Sequence, residues 1–294
     1  MRVMRHLLTG RRHRPRGWYL VSTCAIVIVV CLAILAPALH KASGQPAHRR
    51  TVERAPAPAL ADSPSRWSAS GMQRVVVLGD SVSAGTGCSC APFVDLVAAR
   101  LAAGLKHRVS SANLSVGGET SSQLVQLLNA EPTRQQLRDA SLVLVMIGAN
   151  DLEDLPTDSR CASLQPTCYS AAVSSMPGLI SEALRQIKGS TVRPPLIVLI
   201  GYWNVFLDGA VARSHGPSYR ANSKTLTDEV NSAIGAAANQ EEALYVDTSV
   251  LFARAAGDDD TSLLAPDGDH PNALGQHVIA DGVLGVLRGL GCPC

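Results

Sequence analysis

Two short motifs, far apart in the chain, supply the side chains that nucleophilic acyl chemistry needs. Val75-Val76-Val77-Leu78-Gly79-Asp80-Ser81-Val82-Ser83 is an apolar run broken by a Gly-Asp-Ser turn, and Asp267-Gly268-Asp269-His270-Pro271-Asn272 sets an acid three residues ahead of a histidine. A serine hydroxyl is a weak nucleophile until a neighbouring base takes its proton. Ser81, His270 and Asp267 are the candidates for nucleophile, base and orienting acid. On one turn, Asp267 can hold the imidazole and stabilise its cation, leaving the other ring nitrogen for Ser81. Asp269 and the Asp258-Asp259-Asp260 run are rival acids, although the run reads more simply as a solvated loop. His107, His215 and His277 have no such context and read as surface or packing residues. Asp80 reads as a structural residue that holds the turn through side-chain-to-backbone bonds, and Asn272 as the cap of the last helix.

Between these motifs lie Gly117-Gly118-Glu119-Thr120 and Gly148-Ala149-Asn150-Asp151. Acyl transfer builds negative charge on a carbonyl oxygen, and fixed donors aimed at that oxygen lower the barrier. A glycine offers its backbone N–H with no side chain in the way, and an asparagine offers its amide. Taken singly, each motif has a plainer reading: Ser81 as a helix N-cap, Gly117-Gly118 as a turn, Gly148 to Asp151 as a strand exit.

The elements that must position these residues are legible as short β-branched runs at Arg74–Leu78, Val109–Val116, Leu142–Ile147, Leu196–Ile200 and Leu244–Val246. Helix-type segments lie at Pro92–Leu105, Ser121–Leu128, Tyr169–Ile187, Ser218–Ala238 and Asn272–Leu287. Strands that alternate with helices, several of them apolar throughout, predict a parallel sheet covered on both faces. Ligands of such sheets bind at the carboxyl ends of the strands. Ser81, Gly118 and Asn150 each follow a predicted strand.

In order and context, the four blocks resemble the signature blocks of the SGNH (GDSL-type) hydrolases, from Val75 to Asn272. That resemblance implies a three-layer α/β/α sandwich around a parallel, flavodoxin-like five-stranded sheet. It implies an ester hydrolase working through Ser81, His270 and Asp267, with an oxyanion hole from Ser81, Gly118 and Asn150. Gly118 is chosen over Gly117 because it directly precedes Glu119-Thr120-Ser121, and Asp267 stands ahead of Asp269 mainly on the same resemblance. Val82 stands where many members have leucine. Tyr202 and Trp203, in the aromatic run Gly201–Phe206, match no catalytic block and could line an acyl or sugar pocket or simply pack under a loop. A lipase, a thioesterase, a cell-envelope carbohydrate deacetylase and a non-catalytic envelope-binding module on the same fold are the alternatives.

The 294-residue chain has a formal net charge of +2, which hides an asymmetry: residues 1–54 hold ten basic residues and one acid, leaving 16 basic and 23 acidic residues beyond them. An acidic body is unsuited to phosphate backbones, so nucleic acid is not an expected partner. Residues 18–39 are apolar and uncharged, long enough at 1.5 Å per residue to cross roughly 30 Å of hydrocarbon. Six arginines precede them, which predicts a basic cytoplasmic segment at 1–17, a transmembrane signal-anchor at 18–39 and an exported remainder. Cleavage after Ala36-Pro37-Ala38, giving a secreted protein, is the competing expectation. Residues 40–71 read as a disordered linker, and the hydrolase domain as 72–294.

Cys24 and Cys31 fall in the apolar segment as small apolar residues. The other six, Cys88, Cys90, Cys161, Cys168, Cys292 and Cys294, form an even set in the exported part and predict up to three disulfides. Cys161 with Cys168 is the simplest pair; Cys88 and Cys90 with Cys292 and Cys294 would pin the C-terminus beside the nucleophile turn. A four-thiolate zinc site built from the two C-x-C pairs is the rival. No other metal constellation, P-loop or dinucleotide fingerprint is present, so no cofactor is expected; the expected partners are an ester substrate, small or part of the cell envelope, and the membrane through residues 18–39.

Overall fold

Val, Ile and Leu dominate the inner strands because branched side chains stiffen extended backbone and pack well on a pleated surface. A computed structural model describes residues 64–68, 70–152, 161, 163–206, 209–257 and 259–294. In chain order it runs β1 (Arg74–Gly79), the single turn α1 (Ser81–Ala84), α2 (Phe93–Leu105), β2 (Ser110–Asn113), α3 (Ser121–Leu128), α4 (Glu131–Leu137), β3 (Leu142–Met146), α5 (Ser170–Ser190), β4 (Leu196–Ile200), α6 (Gly209–Gln240), β5 (Leu244–Val246), α7 (Thr248–Ala256) and α8 (Ala273–Arg288). The sheet order is β2-β1-β3-β4-β5 with every pairing parallel, the flavodoxin-like arrangement that the resemblance implies. Residues 1–39, with the apolar segment, lie outside the described residues. Among the described residues no helix is long and apolar enough to cross a membrane.

Every residue of β3 and β4, and all of β1 after Arg74, is buried. Burial of successive residues means both faces of the sheet are covered. Helices α2, α7 and α8 pack together, and α3, α4 and α6 gather around α5, so the sheet lies between two helical groups. The edge strand β2 instead alternates half-buried and exposed residues. The order reverses at β1, where the chain moves out to β2 and then returns to the far side as β3. Ligand crevices open at such a reversal, at the carboxyl ends of the strands.

Differences from the sequence reading are local. Helices α4 and α7 are absent from it, being seven and nine residues long; Asp247 starts α7 by accepting from the N–H of Ser249 and Val250. Strand β2 is shorter than the run Val109–Val116, although Leu114 and Val116 still donate to Val77 and Gly79. Helix α6 begins before Ser218 because two helices abut at Gly216, whose φ of 82° breaks the first before Pro217 starts the second. Pro64–Trp67 forms a 3-10 turn inside the stretch read as linker, and the Trp67 indole donates to Leu290 O at 3.1 Å.

The last residue of β1 is the tightest point of the sheet. Gly79 has φ of 140°, which L side chains avoid, and a Cβ there would overlap the Met146 carbonyl of β3. Gly79→Ala is expected to cost at least about 3 kcal/mol, from backbone strain and overlap together. Gly178→Ala, inside α5 with open space around it, is expected to gain roughly 0.5–1 kcal/mol. Urea unfolding of both variants checks the pair, and similar midpoints would refute the assignment of strain to Gly79.

Candidate active site

Ser81 is the first residue of α1, directly after the Gly79-Asp80 turn. Asp80 rather than Ser81 caps the helix: its Oδ1 accepts from Val82 N at 3.0 Å, so the capping reading of Ser81 does not hold and its hydroxyl is left for the cleft. Gly85 ends the turn in the left-handed region, at φ 81°. The N–H of Asp80 donates to Met146 O at 3.2 Å. Its carboxyl is 1% exposed and its Oδ2 accepts the Tyr202 hydroxyl. Burial pushes the Asp80 carboxyl up to about 7, against the opposing pull of the Tyr202 and Val82 bonds.

The second and third blocks are tied to this turn and to each other. Val116 N donates to Gly79 O at 2.8 Å. Asn150 Nδ2 donates to Glu119 O at 3.0 Å, and Asp151 Oδ2 accepts from both Ser121 N, at 2.9 Å, and Ser121 Oγ, at 3.0 Å. Two consecutive residues at the β3 exit therefore clamp the entry to α3. Gly118 takes φ of 75°, a backbone state that favours glycine. The carbon that would be the Cβ of Gly117 points at Ser81 Cβ, 4.0 Å away, and both glycines face the cleft.

His270 Nδ1 lies 3.0 Å from Asp267 Oδ2, and Asp267 Oδ1 accepts the N–H of His270 at 3.0 Å and of Asp269 at 3.1 Å. Asp269 Oδ2 is farther from Nδ1, at 3.8 Å. Partial burial draws the Asp267 carboxyl upward, but the bonds from Asp269 and His270 outweigh it and hold the group below its ordinary value. Ser81, Gly117, Gly118, Asn150 and His270 line one cleft of about 440 Å³, with Asp267 reaching it through the imidazole. Among the described residues no hydrogen bond joins His270 to Ser81 Oγ, a common state before substrate binds.

Several positioning residues carry no sequence signal. Gly87, at φ 73°, lies against the acid–histidine turn, and a Cβ there would stand 2.8 Å from Asp267 Oδ2 and 3.0 Å from His270 Cβ. Fully buried Gln276 accepts from Phe93 N at 2.8 Å, and its Nε2 faces Val82 O at 3.5 Å. It thereby joins α8, which follows His270, to α2 and to α1. Gly87 is one of many loop glycines in the sequence, and Gln276 is an ordinary helical residue there.

Two expectations are corrected. Tyr202 and Trp203 do not line the cleft: Tyr202 is buried on Asp80, and Trp203 is stacked on Phe252 at 4.6 Å. Their neighbours Val205 and Phe206 line it instead. The cysteines pair as Cys88–Cys90, Cys161–Cys168 and Cys292–Cys294. Each C-x-C motif therefore closes on itself instead of pairing with the other, and among the described residues no group of three His, Cys, Asp or Glu side chains is placed to hold a metal ion.

The sequence matches the GDSL-like lipase/acylhydrolase family over residues 77–278. No curated protein matches it. Similar solved structures include the lipase Lip_vut3 from a goat rumen metagenome, with TM-score 0.55 and 19% identity, covering 75% of this chain and 98% of that one. Phospholipase A1 from Streptomyces albidoflavus NA297 gives TM-score 0.53 and 20% identity, covering 74% and 99%. A catalytic mutant of the acetylxylan esterase Axe2 from Geobacillus stearothermophilus gives TM-score 0.54 and 18% identity, covering 74% and 94%. At these identities the likeness is one of fold.

Glu119 stands apart from the groups that face the cleft. It is 4% exposed, and among the described residues its Oε2 has no hydrogen-bond partner. Burial, with the charge of Asp80 second, pushes it up to about 7 from an ordinary 4.5. The folded state thus holds this proton more tightly than the unfolded chain. The resulting stability is full below the ordinary value and is lost as pH rises through about 7. Glu119→Gln cannot ionise, so its melting temperature relative to the parent is expected to rise between pH 5 and pH 8. A difference that stays constant across that range would contradict the buried, proton-binding assignment.

Proposed function

Because the chain belongs to the GDSL-like lipase/acylhydrolase family, and is on that ground an ester-bond hydrolase, we propose that it works through Ser81, His270 and Asp267. The observation that carries this reading is the Asp267–His270 bond at 3.0 Å in a cleft that His270 shares with Ser81, Gly118 and Asn150. Ser81 Oγ attacks the ester carbonyl while its proton passes to His270 Nε2. Asp267, bonded at Nδ1, fixes the ring and stabilises the imidazolium. The charge that develops on the carbonyl oxygen is met by the N–H groups of Ser81 and Gly118 and by Asn150 Nδ2. That amide nitrogen carries two hydrogens, and the Glu119 carbonyl takes only one. His270 then gives its proton to the leaving oxygen, the alcohol departs, and water repeats the sequence on the acyl-enzyme.

We place this chemistry outside the cytoplasm. Six arginines ahead of the apolar residues 18–39 support that side for the body, and so do the three disulfides, which suit an oxidising compartment. A membrane tether through residues 18–39, or release after cleavage, both fit this placement.

Ser81→Ala and His270→Ala are each expected to lower kcat on p-nitrophenyl acetate by at least about 10³-fold, with far-UV circular dichroism unchanged. Asp267→Asn should cost about 10²- to 10⁴-fold and Asp269→Asn under about tenfold, because Asp267 holds Nδ1 at hydrogen-bond distance, 3.0 Å, whereas Asp269 stands off at 3.8 Å. Full turnover in a folded Ser81→Ala protein would refute the mechanism, and the reverse order for the two aspartates would move the acid to Asp269.

A further inference from the structure

The cleft has two chemically different sides. Besides the reacting groups, it is lined near His270 by the polar side chains of Thr86 and Asp269. These belong with α2 and α8, since Gly87 packs on the Asp267–His270 turn. Elsewhere the lining is apolar: Leu164, Val205, Phe206 and Tyr219, carried by the segments that follow β3 and β4 and by α6. Leu164, Val205 and Phe206 are half-buried, neither core nor free surface.

Helix α6 bonds to both of the loop segments that carry this lining. Tyr219 donates its hydroxyl to Phe206 O at 3.2 Å and stacks on His215 at 4.5 Å. Asn222, three residues on, donates Nδ2 to Ser163 O at 2.8 Å. Leu164 sits inside the ring closed by Cys161–Cys168, its N–H donating to Cys161 O at 3.0 Å. Its φ is 52°, a left-handed state that a branched side chain adopts only where its surroundings impose it. The disulfide and the α6 bond therefore hold Leu164 at the cleft. Simple edge packing of the core needs neither.

We infer that Leu164, Val205, Phe206 and Tyr219 form an acyl-binding wall held by the Cys161–Cys168 disulfide, and that the preferred substrates are esters of aliphatic acids longer than acetate. The inference rests on the proposed roles of Ser81 and His270. The direction follows from the chemistry: His270 must hand its proton to the leaving oxygen, so the alcohol lies on the Thr86–Asp269 side. The acyl chain then extends toward the other helical group. Each methylene that leaves water there is worth up to about fourfold in kcat/KM.

The test is the kcat/KM series of p-nitrophenyl acetate, butyrate, hexanoate and octanoate on the full chain in a nonionic detergent. The parent is expected to favour hexanoate over acetate by about tenfold or more. Leu164→Asp, and separately Cys161→Ser with Cys168→Ser, should each reduce that hexanoate-to-acetate ratio at least about fivefold. Equal turnover along the series would overturn the inference and leave the Ser81 chemistry standing. So would a ratio untouched by Leu164→Asp, or an effect of that variant confined to a series that varies the alcohol. Failure of every ester, together with failure of a fluorophosphonate to label Ser81, would instead overturn the proposed mechanism and the wall with it. If the double serine variant does not fold, Leu164→Asp alone decides.

Discussion

The contact between the end of β1 and the Met146 carbonyl of β3 is the constraint on which the cleft depends. Only a glycine at position 79 lets the two strands close there, and the next N–H, that of Asp80, then bonds the same carbonyl at 3.2 Å. From that point the chain must turn, and the buried Asp80 carboxyl fixes how: one oxygen caps α1 and the other takes the Tyr202 hydroxyl. Ser81 is presented because its neighbour does the capping. Burial makes that carboxyl costly to ionise, although both bonds favour its charged form. The rigid turn beneath Ser81 is thus built on a group that the dry site penalises when charged.

Nothing in the cleft belongs to a single element. Ser81 comes from the β1 exit, Asn150 from the β3 exit and His270 from the approach to α8, and each is braced by a partner remote in sequence. Gly87 and Gln276 brace the histidine side against α2 and the turn that carries Ser81. Asp151 and Asn150 brace the glycine block against β3. Catalytic groups must be held to within a few tenths of an ångström, and a sheet edge supplies that precision because its strand ends are already fixed by the core.

The two helical groups make different contributions. The side built from α2, α7 and α8 carries the Asp267–His270 pair and its polar surroundings, and the side around α5 and α6 carries apolar surface. Solved structures of this fold include a lipase, a phospholipase and an acetylxylan esterase, so the fold does not choose the substrate. In the proposed reading that choice falls to the loops after β3 and β4. In this chain a disulfide and a hydrogen bond to α6 order the described part of the first.

Strand positions, the parallel sheet and the meeting of Ser81, Gly118, Asn150 and His270 at one sheet edge were legible in the sequence. Strands buried on both faces write themselves as unbroken apolar runs, and residues at strand ends follow those runs directly. The short helices α4 and α7 were not legible, since seven or nine residues carry too few turns for a periodicity to stand out. The aromatic run from Gly201 to Phe206 showed that something packs there but not which rings face the cleft. Tyr202 and Trp203 turn inward because Asp80, 122 positions away, and Phe252 offer them partners. The cysteines show the same division: their even number is a property of the sequence, whereas the partner each one takes appears only in the folded chain. Local chemistry and burial pattern are written along the chain. Distances between remote residues exist only once the sheet and its two helical groups have packed.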